Sequence, residues 1–112
     1  MKRIGWVGTL KPDMVRKYVE LHADTWPGVL RKITECNLQN YSIFLKELPG
    51  GQQCLFSYVE YTGDDFEADM AKMAADAETQ RWWAECKPCF EPVKDQPPGE
   101  VWMPMEQIFY YP

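Results

Sequence analysis

YSIFLKELPGGQQCLFSYVEY, residues 41 to 61, is the stretch on which the fold turns. Tyr41, Ile43 and Leu45 alternate with Ser42, Phe44 and Lys46. Cys54, Phe56 and Tyr58 alternate with Leu55, Ser57 and Val59. Alternation with a period of two puts successive side chains on opposite faces and signals a strand. Pro49-Gly50-Gly51 separates the two runs and is a turn signal, so the stretch predicts a β-hairpin.

Upstream, Ile4, Trp6, Gly8 and Leu10 alternate with Gly5, Val7 and Thr9, which predicts a first strand over about residues 2 to 10. Pro12 suits the first position of a helix and Asp13 its first turn. The helical pattern runs to about Asp24. Pro27 interrupts it, because proline removes a donor and pushes Trp26 toward an extended conformation. The helix resumes as GVLRKITECN and stops near Asn37. Downstream of the hairpin, Gly63-Asp64-Asp65 starts a helix with Asp64 as the expected cap. Phe66, Met70, Met73, Ala74 and Ala77 form its apolar stripe, a core stripe rather than a cofactor box. Asp76 or Thr79 restarts a helix through Arg81-Trp82-Trp83 to about Cys86. Pro88, Pro92, Pro97 and Pro98 then mark a loop over residues 87 to 100, with Pro104 just beyond it. Met105 to Tyr111, aromatic and apolar, reads as the last strand.

The resulting order is β-α-β-β-α-β, an α+β class with the ferredoxin-like arrangement. Its antiparallel sheet carries both helical segments on one face and leaves the other, which bears large residues, to be covered. Face-to-face dimerisation is the simple solution. A chain of 112 residues suits one domain, 1–112, and a domain of this size gains from a shared core.

The net charge is −5 and the basic residues are scattered, which argues against a nucleic-acid partner. The apolar run near the start is broken by Thr9 and ended by Lys11-Pro12-Asp13. No stretch reads as a signal peptide or a bilayer span, so a soluble, cytoplasmic protein is expected. Cys36, Cys54, Cys86 and Cys89 are expected to be reduced. Cys86-Lys87-Pro88-Cys89 lacks the second ligand pair of a structural zinc site. It also follows a helical run, whereas a thioredoxin-like motif opens a helix after a strand. Five tryptophans and six tyrosines supply either a bulky core or a ring-lined cleft.

The single histidine, His22, lies in KYVELHADTWPGV, residues 17 to 29. Tyr18 precedes it by one helical turn, so the two project from the same face. A tyrosine and a histidine so placed can address one small polar ligand, and histidine exchanges protons near neutrality. The plain alternative is a histidine satisfied at a helix edge, which the pattern alone favours. Trp82 and Trp83 point about 100° apart on a helix, so both cannot face one core. One packs while the other is free to line a cleft; by themselves they read as core plus interface. Rings that stack on the apolar face of a sugar, with polar groups meeting its hydroxyls, would hold a carbohydrate.

Tyr18-x-x-x-His22, Trp26-Pro27, Asn40-Tyr41-Ser42-Ile43-Phe44-Leu45, Gln80-Arg81-Trp82-Trp83 and Met105-Glu106-Gln107-Ile108-Phe109 together resemble the L-rhamnose mutarotase family. They stand in the family's order at similar spacing, over about residues 2 to 111. The resemblance implies a dimeric ferredoxin-like α/β-barrel fold and a cofactor-free, metal-free epimerisation at the anomeric carbon of L-rhamnose or a related 6-deoxy sugar. It implies His22 as the proton donor and Tyr18, Tyr41, Trp82 and Trp83 as sugar-binding residues. Two places depart from the family. Gln39 stands where members can carry a histidine, and the Pro-rich loop with its Cys86/Cys89 pair differs. L-fucose is therefore an alternative substrate. Two other classes compete on fold grounds, a dimeric monooxygenase or haem-binding protein and a non-catalytic sugar-binding module.

Overall fold

The computed structural model describes residues 1 to 112. β1 (Lys2–Leu10) leads through a 3₁₀ turn (Pro12–Met14) into α1 (Val15–Ala23). Trp26 is extended at φ −61°, ψ 132°, and Pro27 opens α2 (Pro27–Glu35), as proline at a first helical position should. β2 (Leu38–Glu47) and β3 (Gln53–Tyr61) form the hairpin, turned by Gly50 and Gly51 at positive φ. α3 (Phe66–Ala75), α4 (Ala77–Cys86), a second 3₁₀ turn (Lys87–Cys89) and β4 (Met103–Met105) complete the chain.

The strands lie in the order β2-β3-β1-β4, and every neighbouring pair is antiparallel. Each helical crossover therefore skips one strand, which is the ferredoxin-like α+β topology read from the sequence. β1 and β3 are the inner strands, and their alternate residues set the two faces. Leu10, Leu55, Val59 and Tyr61 are buried under the helices, among Tyr18 of α1, Val29 of α2, Met73 of α3 and Trp82 of α4. Burying a side chain such as Leu55 or Val59 contributes about 1.5–3 kcal/mol. The opposite face carries Arg3, Val7, Phe44, Phe56, Tyr58 and Met105, and no helix covers it. Phe44 is 63% exposed there.

Three local expectations change. The cap of α3 is Asp65, not Asp64: its carboxylate accepts from the Ala68 amide at 3.1 Å. The Tyr61 hydroxyl accepts the Asp65 amide at 3.0 Å and so holds the entry one residue later. β2 begins at Leu38, ahead of the alternation, because a bulge between Gln39 and Ser42 hides the period. The last strand is only Met103–Met105, not Met105 to Tyr111. The chain leaves the ladder after the Gly5–Met105 pair. Tyr110 instead stacks under the Arg3 guanidinium, 3.7 Å from its centre, and accepts its hydrogen bond at 2.7 Å. Ile108, Phe109 and Tyr111 are left more than three-quarters exposed. Their strand-like composition is not realised, because no strand of the sheet pairs with them. No helix is long and apolar enough to cross a membrane.

Candidate active site

His22 sits in the last turn of α1, where the helix dipole favours a cation. The helix stops there because Asp24 leaves the helical region and the Thr25 hydroxyl caps the His22 carbonyl at 3.2 Å. The imidazole folds back on its own helix. Nδ1 lies 2.9 Å from the Tyr18 carbonyl oxygen. A carbonyl only accepts, so Nδ1 carries the hydrogen, and Nε2 is the atom free to exchange a proton.

Rings hold the imidazole in place. It stacks on Tyr18 with centroids 4.2 Å apart at 29°, and Trp82 meets it edge-on at 5.3 Å. Two rings support those two. Trp26 packs edge-on against Trp82 at 5.2 Å, and Phe90 against Tyr18 at 5.4 Å. Trp26 reads from the sequence as the extended residue where Pro27 interrupts the helix; in the fold it backs Trp82. Phe90 carries no sequence signal, since it lies in the Pro-rich loop and reaches β1 through one isolated bridge to Leu10. It fits because Gly8 on β1 has no side chain: a Cβ there would lie 2.7 Å from the Phe90 ring.

Tyr41 joins from β2. The residue is 38% exposed, and its phenol lies close enough to Cys86 and Tyr18 to feel both. Burial, with the Cys86 thiol, pushes its phenol up to about 12. Tyr18 is pushed higher still, by burial first and then by Cys86, Tyr41 and Cys89. Burial and the nearby Cys89 push the Cys86 thiol up to about 12. All three groups are therefore neutral near pH 7. Neutral phenols offer hydrogen-bonding hydroxyls. His22 moves the other way: burial lowers its pKa below the ordinary 6.5, and the bond to the Tyr18 carbonyl partly offsets this.

The fold thus brings together Tyr18, His22, Tyr41 and Trp82. Trp83 is half-buried on the neighbouring side of α4, where the Lys87 ammonium lies 5.3 Å from its ring centre. It lines a cavity of about 410 Å³ with Gln80, Pro88, Pro92 and Glu100, between α4 and the Pro-rich loop. All four cysteines are free and buried.

A ferredoxin-like domain that holds a histidine among rings and neutral hydroxyls is suited to proton transfer on a small polar ring. The L-rhamnose mutarotase family profile matches residues 3 to 111, and the chain belongs to that family. Family members are carbohydrate isomerases. The chain is 33% identical over 98 residues to an L-rhamnose mutarotase of Oceanobacillus iheyensis, covering 88% of each chain. It is 29% identical over 110 residues to one of Lactiplantibacillus plantarum, covering 98% of each. A crystal structure of L-rhamnose mutarotase from Formosa agariphila superposes over 100% of both chains with a TM-score of 0.74 at 22% identity, a likeness of fold. Membership selects the isomerase among the classes the sequence leaves open.

Proposed function

We propose that residues 1 to 112 act as one catalytic domain that interconverts the α and β anomers of L-rhamnose or a related 6-deoxy sugar. The observation that carries this reading is the His22 imidazole, fixed through Nδ1 on the Tyr18 carbonyl, stacked on Tyr18 and met edge-on by Trp82. Protonated Nε2 gives its proton to the ring oxygen as the C1–O bond breaks. The C1 hydroxyl proton leaves to water, C1 becomes an aldehyde carbon, and the C1–C2 bond rotates. Closure on the other face reverses both transfers, so no net proton is consumed. Tyr18 and Tyr41 hold sugar hydroxyls, Trp82 meets an apolar C–H face, and Trp83 extends the wall toward the Pro-rich loop. The hydroxyls hold without taking protons, because both phenols stay neutral.

A homodimer and a cytoplasmic setting belong to the same proposal. The uncovered sheet face with Phe44 and Met105, and the exposed tail with Ile108, Phe109 and Tyr111, form an apolar surface that a second copy would bury. Four buried free thiols suit a reducing compartment.

The test is anomer exchange by saturation-transfer NMR over L-rhamnose, L-fucose and common hexoses, with light scattering for the mass in solution. Acceleration of none of these sugars would remove the reading, and a monomer at micromolar concentration would remove the dimer.

A further inference from the structure

The bulge in β2 is the feature that decides where Tyr41 points. Gln39 pairs with Glu60 and Ser42 with Tyr58, so Asn40 and Tyr41 together face the single residue Val59. Leu38 pairs with buried Tyr61, and Ile43 pairs with buried Ser57, so both belong to the helix side of the sheet. In a regular strand residues 38 and 43 would lie on opposite faces. The extra residue resolves this, and it gives Tyr41, like Ile43, to the helix side where Tyr18 and Cys86 lie.

The first position of the bulge is Asn40, at φ 49°. That left-handed region is ordinarily left to glycine, and asparagine is among the few side chains that accept it. On the open face, a small polar network spans the bulge. The Gln39 and Asn40 side-chain amides both donate to Glu60 Oε1, at 3.0 and 2.9 Å. The Tyr58 hydroxyl donates to Glu60 Oε2 at 2.8 Å. One carboxylate on β3 therefore ties down the two residues that lead into Tyr41.

We infer that Glu60, acting through Gln39 and Asn40, is a positioning residue for Tyr41. It works from the opposite face of the sheet and touches nothing in the site. The inference rests on the proposed role of Tyr41 as a sugar ligand, but its geometric half stands separately. Glu60→Ala frees both amides, the bulge loses its anchor, and the Tyr41 hydroxyl loses its fixed aim. Glu60→Gln keeps an oxygen that accepts both amides, so it preserves the bulge while removing the charge.

Two readouts separate the inference from its premise. In the first, protein is prepared with 3-fluorotyrosine, and the fluorine resonance missing in Tyr41→Phe is assigned to Tyr41. Glu60→Ala should shift or broaden that resonance, and Glu60→Gln should leave it near the wild-type position. An unchanged Tyr41 resonance in Glu60→Ala overturns the inference whatever the kinetics show. In the second, KM and kcat for L-rhamnose are measured across the Glu60→Ala and Tyr41→Phe cycle. Glu60→Ala should raise KM about threefold to tenfold, the value of one hydrogen bond, with kcat within about twofold. It should raise KM no further in the Tyr41→Phe background. Two effects that multiply overturn the positioning route. A Tyr41→Phe variant with wild-type KM overturns the ligand role of Tyr41, while a moved fluorine resonance still upholds the aim.

Discussion

Replacing His22 with glutamine separates catalysis from packing. The imidazole makes a stack with Tyr18 at 4.2 Å, an edge contact with Trp82 at 5.3 Å and a hydrogen bond to the Tyr18 carbonyl at 2.9 Å. Aromatic pairs contribute about 0.5–1.5 kcal/mol each and a net hydrogen bond a similar amount. Glutamine restores part of the hydrogen bonding and volume. The stability loss should be about 1–2 kcal/mol, which lowers Tm by about 4–10 °C in a domain of this size. The loss in rate should be larger. A general acid supplies about 10²–10⁴-fold, or about 2.7–5.5 kcal/mol of barrier. Saturation-transfer NMR on equilibrated L-rhamnose, with the buffer-catalysed rate subtracted, reads that loss directly. Stability also acquires a defined pH dependence. The folded pKa of His22 lies below its unfolded value of 6.5, because burial disfavours the imidazolium. Its neutral form is therefore fully accommodated above pH 6.5. Stability is lost as pH falls from 6.5 through the folded pKa, and is constant with respect to this group below it. In His22→Gln this component of the acid limb should disappear. Exchange within about threefold of wild type in a folded His22→Gln variant would refute the donor assignment and leave a histidine that only packs.

Tyr18→Phe removes a buried hydroxyl and keeps the ring stack, so KM should rise about twofold to twelvefold with little change in kcat, measured by the same exchange assay. Gly8→Ala places a Cβ 2.7 Å from Phe90 and 3.1 Å from the Val101 carbonyl, both in packed surroundings. It should cost about 1–3 kcal/mol and lower Tm by about 4–12 °C in a thermal melt. The four buried thiols, Cys86 pushed up to about 12 among them, should resist a disulfide reagent at pH 8 in the native protein and react fully in denaturant. Rapid native labelling at Cys86 would contradict its burial.

The sheet was legible where one strand face is buried and the other is not. Leu55, Ser57 and Val59 alternate because they pack under helices while Phe56 and Tyr58 do not. The bulge was not legible, because one inserted residue breaks the period that reveals a strand, and Asn40 gives no local sign that it takes the left-handed region. Tyr18 and His22 were visible as a helical pair. Trp26 and Phe90 were not visible as site residues: Trp26 is cut off from its helix by Pro27, and Phe90 reaches Tyr18 only through tertiary packing. The tail misled for a different reason. Aromatic and β-branched composition reports a preference for pairing, and Ile108 to Tyr111 have no strand beside them.

The electrostatics of the site fit a reaction in which a neutral sugar gains and loses one proton each. Tyr18, Tyr41 and Cys86 all titrate well above neutrality, so none of them changes charge when substrate enters. Burial moves His22 downward and the Tyr18 carbonyl moves it upward. A lower pKa makes the imidazolium a stronger acid but a rarer one, and catalysis depends on the product of the two. The carbonyl bond limits the fall, and it fixes which nitrogen would exchange a proton in the proposed reaction. It follows that kcat/KM should have a single limb across the neutral range. The rate should rise as pH falls toward the His22 pKa and level off below it. A second, acidic limb would mean that another group must be deprotonated for turnover, and that water is not the acceptor of the C1 hydroxyl proton.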